Sequence, residues 1–404
     1  MVKVEPPCPY FGTCGGCTLQ DLAYTDQLQL KRDRVTQALA PFDVTSPIDI
    51  IPLNDPWRYR NKAELTFSEA DGHLILGYHV SKSFWRIVNL EDCLLLPEPA
   101  MQLVRDVRDL AAASGLPVYQ TRTHQGFFRY LLVRSSQTIG HLMICLVTTG
   151  VFNGEEETVQ RTIKQIASEL MARNPALVSV FWGQTDSLAD VATPQRLILV
   201  HGTEHLEEQI GPFRIRVHPF SFLQASSHAA DRLYRYVSDC LSGMTNGVAW
   251  DLYCGLGLVG LYLSRQMRKV YSIESEPSQV ELATLNALRN GIQNIEFHTG
   301  CVEMLLRERR FWLQEAKPDV IVVDPPRAGL HLSALTSLLA ARPAVLVYIS
   351  CNVDSLTRDL RVLHTSFPRY RVREVRAFDL FAQTNHVEVC VVLERCARVG
   401  SGSG

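Results

Sequence analysis

The segment Tyr348-Ile349-Ser350-Cys351-Asn352 places a thiol just past an apolar run, 27 positions after the aspartate of Asp324-Pro325-Pro326-Arg327. A cysteine can be a small buried apolar residue or, where its thiolate is reachable, a nucleophile. The run Ala344-Val345-Leu346-Val347-Tyr348 predicts a buried strand, with Cys351 where that strand passes into its loop. Val320-Ile321-Val322-Val323 predicts another strand, ending at Asp324, and the two prolines stiffen the loop that aims this carboxylate. In open α/β sheets ligands bind beyond the carboxyl ends of the strands. Two polar loops meeting at one such rim favour the nucleophile.

A second constellation lies upstream. Val248-Ala249-Trp250-Asp251-Leu252-Tyr253-Cys254-Gly255-Leu256-Gly257 reads as a strand running into a glycine loop, followed by a helix from Leu258 to Arg265. Glycines there allow positive φ and close approach of backbone to a ligand. The next strand ends in Tyr271-Ser272-Ile273-Glu274, where a carboxylate can grip a ribose diol. The third glycine of a dinucleotide fingerprint is missing, which suits a nucleoside cofactor without a diphosphate, S-adenosylmethionine. A Rossmann domain with an empty site is the alternative. Farther on, His386-Val387-Glu388 sets a carboxylate at the start of the last strand. Flanked by Val387 and Val389, it is open to desolvation, which raises a carboxyl toward useful base strength; otherwise it is a strand glutamate facing water.

Near the amino terminus, Cys8, Cys14 and Cys17 follow the spacing C-x5-C-x2-C, with Cys93 a distant fourth thiol. Thiolates on a tight glycine loop can wrap a soft metal centre. Zinc competes, although it usually recruits paired C-x2-C units or histidine, and free thiols remain the plainest alternative.

Elements must hold these groups in place. Tyr24 to Leu39 predicts a helix. From Trp57 to about residue 200 short alternating strands, broken by helices near 98–113 and 155–172, predict an α+β arrangement with a mostly antiparallel sheet. After Gly211 the rhythm becomes strand, loop, helix, with strands expected at 247–252, 269–273, 293–297, 319–323 and 344–349 and a closing hairpin at 371–378 and 386–394. The fold class expected is α/β: a Rossmann-like doubly wound domain at 211–396, placed for the nucleoside cofactor, plus an α+β domain that carries the cysteine motif and the basic–aromatic segments. Within the latter, residues 1–95 hold the cysteine region and the start of a central domain at 57–210. Residues 397–404 read as a flexible tail. No internal repeat is present.

With 404 residues, 46% hydrophobic and 20% charged, the chain exceeds one ordinary core and has the composition of a soluble globular protein. It shows neither a membrane-length apolar run nor a signal-peptide core, and eleven cysteines among enzyme-like segments argue against a secreted disulfide framework. A cytoplasmic monomer without membrane contact is expected. A net charge of −2 excludes a general polyanion binder but leaves room for a local basic groove. Arg58, Arg60 and Lys62, then Arg122, Arg129 and Arg134, interleaved with aromatics, are the candidates, against the alternative of a solvated sheet edge.

In these motifs the sequence resembles the RNA (uracil-5)-methyltransferases, which make 5-methyluridine in ribosomal and transfer RNA. Phe222-Leu223-Gln224, Asp251 to Gly257, Asp324 to Gly329, Ser350-Cys351-Asn352 and His386-Val387-Glu388 occur in the family's order, and the resemblance spans residues 8 to about 394. It implies that Cys351 adds to carbon 6 of uracil and that Glu388 removes the carbon 5 proton. It also implies that Gln224, Tyr253, Glu274 and Asp324 hold S-adenosylmethionine, that Phe222 packs on a flipped uracil, and that Cys8, Cys14, Cys17 and Cys93 bind a 4Fe-4S cluster. Leu258, Ser226 and Cys301 depart from residues common in relatives and put individual cofactor contacts in doubt. The chain begins almost directly at Cys8, so the amino-terminal TRAM domain of some ribosomal enzymes is expected to be lacking. The expected substrate is 23S ribosomal RNA, with the transfer RNA T-loop as alternative. A non-catalytic iron–sulfur RNA-binding or redox-sensing protein is a further alternative, which the presence of both Cys351 and Glu388 opposes. A methyltransferase for a small molecule or protein is another, which Trp57-Arg58-Tyr59-Arg60-Asn61-Lys62 opposes.

Overall fold

The computed structural model describes residues 2–44, 46–150, 156–306, 317–366 and 370–396. The tail at 397–404 lies outside them. The chain forms two compact units, one of Met1–Tyr24, Asn54–Ser221 and Ala225–Ser227, the other of Thr25–Leu53, Phe222–Gln224 and His228–Gly404.

The first unit is built on a seven-stranded sheet. Its order is β4 (Ile87–Asn89), β3 (His73–His79), β2 (Lys62–Ala70), β5 (Phe128–Ser135), β6 (Leu142–Thr148), β7 (Leu177–Gln184) and β8 (Arg196–Gly202). All pairs are antiparallel except β6 with β7. The parallel exception follows from the crossover through helix α3 (Glu156–Arg173). Helix α2 (Glu98–Ala113) begins after Pro97 and buries Met101, Val104, Val107, Leu110 and Ala111, one stripe at helical spacing. That stripe joins Leu131, Val133, Ile144 and Leu146 of the central strands in one core.

The basic residues of this unit differ from expectation. Arg134 is fully buried and donates from Nε to Pro219 O at 2.7 Å, and Arg129 donates to the carbonyls of Thr185 at 3.0 Å and Ser187 at 2.8 Å. Arg58 pairs with Asp92 at 2.8 Å, and Lys62 with Glu64 at 2.5 Å. Buried guanidinium groups need acceptors, so these arginines tie loops to strands rather than line a groove.

The second unit carries an eight-stranded sheet. Its order is β1 (Asp49–Ile51), β16 (Tyr370–Phe378), β17 (Glu388–Arg395), β15 (Val345–Ser350), β14 (Val320–Val323), β11 (Val248–Leu252), β12 (Lys269–Glu274) and β13 (Ile295–Thr299). From β15 to β13 all pairs are parallel, and β17 enters antiparallel between β15 and β16. Val320, Ile321, Val322 and Val323 have no exposed surface; a strand covered by helices on both faces reads as a continuous apolar run for that reason. Each such side chain contributes about 1.5–3 kcal/mol by its burial. The chain runs outward from β11 through β12 to β13, then returns to β14 on the other side of β11. That reversal is the doubly wound switch point, where a crevice opens at the carboxyl ends of β11 and β14. Among the described residues no helix is long and apolar enough to cross a membrane.

Candidate active site at the sheet's switch point

Strand β11 ends in a backbone that only certain residues tolerate: Tyr253 has φ +62°, Gly255 +51° and Gly257 +75°. A Cβ at Gly257 would lie 2.8 Å from the Phe297 ring, so the turn is closed to larger residues. Helix α5 (Leu258–Leu263) starts directly after it. Glu274, at the end of β12, accepts the Gly255 N–H at 3.0 Å and the Ser275 N–H at 2.7 Å, so it braces the glycine loop. The Tyr253 hydroxyl donates to Glu303 at 2.8 Å. Gln224 is buried within the same unit, whereas Phe222 is 63% exposed.

Asp251 was not among the expected ligands, yet it is unusual. One oxygen accepts the Gly260 N–H at 2.8 Å, and the other is buried without a partner. Burial pushes its carboxyl up to about 7, against the Gly260 hydrogen bond, and the charges of Asp324 and Glu274 add to the shift. A polar residue inside an apolar strand was the signal that could have found it.

On the other side of the switch point, the Asp324 N–H bonds Leu252 O at 3.3 Å, tying the start of its loop to the end of β11. The loop is held from beyond as well. Helix α9 (Val353–Ser366; α8 being Leu332–Ala341) supplies Arg358, which donates to Ala328 O at 2.9 Å, and Asp359, which accepts the Leu330 N–H at 2.7 Å. Asn352 donates to Arg327 O at 3.0 Å and accepts the Asp354 N–H at 3.1 Å, so one side chain joins the Asp324 loop to the Cys351 turn. Arg327 in turn donates to His386 at 3.1 Å.

The register of β15 against β17 brings the reactive groups together. Ile349 pairs with Cys390 and Ser350 with Val389, so Cys351, the first residue past β15, comes beside Glu388, the first residue of β17. Glu388 is 1% exposed and both of its carboxylate oxygens are buried without a partner. Burial, then the Asp324 charge, holds its carboxyl well above the ordinary range, and burial also raises Asp324. Cys351 is half-buried; burial, then Glu388 and Asp324, push its thiol up to about 11, against the pull of Arg327. Cys351, Glu388 and Asp324 thus lie close enough that the charge of one raises the proton affinity of another.

Residues Gln27 and Lys31 of helix α1 (Tyr24–Leu39) were read only as helical. Lys31 donates to Asp379 at 2.7 Å and to Phe381 O at 3.1 Å, and Gln27 exchanges two hydrogen bonds with Gln383. Together they clamp the segment that delivers His386 and Glu388.

In the first unit, Cys8, Cys14, Cys17 and Cys93 line one cavity with Tyr78, Leu90 and Arg60. Burial raises the Cys14 and Cys93 thiols, which the Arg60 charge partly offsets. The buried Tyr78 hydroxyl has no partner, and the Gly16 N–H points at Cys14 Sγ at 3.4 Å. Among the described residues, however, no three His, Cys, Asp or Glu side chains are drawn together as they would be around a single metal ion.

The sequence model of the tRNA (uracil-5-)-methyltransferase family matches residues 191–396. An uncharacterized RNA methyltransferase of Caldanaerobacter subterraneus subsp. tengcongensis is 34% identical over 97% of this chain and 85% of its own length. Another, of Halalkalibacterium halodurans, is 32% identical over 97% and 84%. Among solved structures, the Pyrococcus abyssi tRNA (uracil-54, C5)-methyltransferase in complex with S-adenosyl-L-homocysteine is 26% identical, with a TM-score of 0.76, over 97% of this chain and 85% of that one.

Proposed function

The chain belongs to the tRNA (uracil-5-)-methyltransferase family of S-adenosylmethionine-dependent RNA methyltransferases, and on that premise we propose that it methylates carbon 5 of a uridine through a covalent cysteine–uracil adduct. The observation that carries this mechanism is the β15–β17 register that brings Cys351 beside Glu388, a buried carboxylate with no partner.

Carbon 5 of uracil is a weak nucleophile. Once the Cys351 thiol has given up its proton to water, addition of the thiolate to carbon 6 pushes the ring π electrons toward O4, and the resulting enolate makes carbon 5 nucleophilic. S-adenosylmethionine, when bound, supplies the electrophilic methyl group. Gln224, Tyr253, Glu274 and Asp324 are the residues proposed to hold it, grouped as they are in the switch-point unit; Phe222, exposed, is proposed to pack on the flipped base. Glu388 then takes the carbon 5 proton, the carbon 5–carbon 6 double bond reforms, and the Cys351–carbon 6 bond breaks. Burial raises the proton affinity of the Glu388 carboxylate above that of an exposed glutamate, which makes it the stronger base for that proton.

RNA in which the uridine is replaced by 5-fluorouridine tests the mechanism, since fluorine cannot leave as a proton does. A covalent complex that survives denaturation is expected with the wild type and none with Cys351→Ala. Absence of any adduct, or methylation by Cys351→Ala, would overturn it. We carry 23S ribosomal RNA as the first target; a second, a transfer RNA uridine, is favoured by the Pyrococcus abyssi enzyme's action on uracil-54 of tRNA. Mapping 5-methyluridine in RNA from a deletion strain separates the two. A cytoplasmic monomer, with residues 57–210 as the RNA-binding region, goes with either target.

The four cysteines are proposed to hold a 4Fe-4S cluster. What supports this is a shared cavity with an unpartnered hydroxyl and an N–H aimed at sulfur. A cavity lined by four thiols and no histidine suits such a cluster better than zinc, which usually recruits paired C-x2-C units or histidine. Its role is proposed to be structural or RNA-recognising, because methyl transfer moves no electron. Anaerobic purification should give a brown protein that bleaches in Cys93→Ser; a colourless protein with stoichiometric zinc would sink the assignment.

A further inference from the structure

Phe84 and Trp85 are 83% and 75% exposed, side by side in the loop joining β3 to β4. Two large rings left in water on one short loop call for an occupant. Their surroundings say which. The exposed Lys82 and Arg86 flank them, and among the described residues neither is in an ion pair. No Asp or Glu occurs between Gly72 and Glu91, although the whole chain is slightly acidic, so this hairpin is a local island of positive charge. Of the arginines that sequence patterning marked as nucleic-acid contacts, Arg58, Arg129 and Arg134 are engaged internally, whereas these two cations are in no ion pair among the described residues.

The loop is also held in shape. Val80 N–H bonds Arg86 O at 2.7 Å across its neck, Ser83 N–H bonds Val80 O at 2.9 Å, and the Ser83 hydroxyl accepts the Arg86 N–H at 3.1 Å. Its base is stapled to the cysteine loop: Ser81 N–H donates to Thr13 O at 2.8 Å, and Gly15 N–H to His79 O at 3.0 Å. A ring presented on a fixed backbone loses little freedom on stacking, which favours a platform over a mobile tether.

We propose that residues 80–86 form a stacking platform for unpaired nucleotides of the substrate RNA, with Phe84 and Trp85 taking bases and Lys82 and Arg86 taking phosphates. Every base offers a π-face, so such a platform adds affinity without reading sequence, and cations beside the rings fit the polyanionic backbone. The proposal rests on the family reading that the substrate is RNA. It also gives the proposed cluster loop a mechanical part, as the abutment of the platform.

Binding of a fluorescein-labelled oligouridylate to the cluster-containing holoenzyme, at fixed salt, tests it. Each lost stack should weaken binding roughly 5- to 160-fold, so Phe84→Ala/Trp85→Ala should show a large loss and Trp85→Phe most of the wild-type affinity. Because both rings are exposed, the visible absorption, S-adenosylmethionine affinity and kcat at saturating RNA should be retained, leaving the change in KM. Lys82→Ala/Arg86→Ala should reduce the salt dependence of binding. Equal RNA affinity of wild type and ring variant overturns the platform, and if the variant also turns a wild-type dimer into a monomer, the rings serve a second copy of the chain instead. Wild-type protein that neither binds nor methylates RNA removes the underlying reading along with the platform.

Discussion

Lys31 and Asp379 form an ion pair of 2.7 Å with neither side chain exposed to solvent. They stand 348 positions apart in sequence, and the pair fastens helix α1 to the segment that carries His386 and Glu388. Burial lowers the Lys31 pKa and the Asp379 charge opposes that shift; the contact to Phe381 O satisfies a further ammonium proton.

Removing one partner should therefore be costly. Lys31→Met leaves the buried Asp379 without its counter-charge, with an expected loss of about 3–5 kcal/mol, read as a fall in the urea midpoint at unchanged slope. The methylation rate should fall further than the folded fraction accounts for, because Glu388 loses its anchor. If stability is lost and the rate per folded molecule holds, the pair supports the fold and not the site.

The Cys351 thiol, raised by burial and then by Glu388, should respond to neutralisation of its neighbour. Iodoacetamide alkylation at Cys351, followed by peptide mass spectrometry across pH, should show a midpoint near about 11 in the wild type that moves down in Glu388→Gln. The variant should thus be alkylated faster at neutral pH while its turnover is lost, since the proton acceptor is gone. A midpoint that stays put or rises would mean the two groups do not sense each other.

Asp251 offers a pH test of stability. Its folded carboxyl, at about 7, lies above the ordinary 3.8, so the native state holds a proton that the unfolded chain releases. Below about 4 both states are protonated and burial carries no charge penalty; the penalty grows as pH rises and is complete above about 7. Asp251→Asn keeps an oxygen for the Gly260 N–H but cannot ionise. Its stability relative to wild type should rise between pH 4 and pH 7 by on the order of a few kcal/mol. Parallel thermal-denaturation profiles of the two proteins would contradict this placement of the charge.

Much of the molecule was readable beforehand because its signals are local. The continuous run Val320 to Val323 and the thiol after Tyr348-Ile349-Ser350 follow from patterns of a few residues, and all seven strands anticipated after Gly247 are present, from β11 to β17. Small discrepancies have local causes too. Strand β13 starts at Ile295, later than expected, because the Asn294 side chain bridges the carbonyls of Ser264 and Met267. Helix α5 stops at Leu263, where the Ser264 hydroxyl turns back to Leu261 O.

The sequence by itself determined the strand and loop that deliver each reactive group, the strand–helix alternation of a doubly wound domain and the motifs of the family, since those depend on neighbours in the chain. Only the tertiary structure decided that Cys351 and Glu388 fall beside one another, because a register shift of one residue would have sent Glu388 to the other face. It alone showed that Lys31 serves the site from a distant helix, that Asp251 is a buried and half-unpaired acid, and that Arg129 and Arg134 are internal braces while Lys82 and Arg86 stay free. Burial and charge are properties of what surrounds a residue, and those surroundings come from parts of the chain that no local pattern joins.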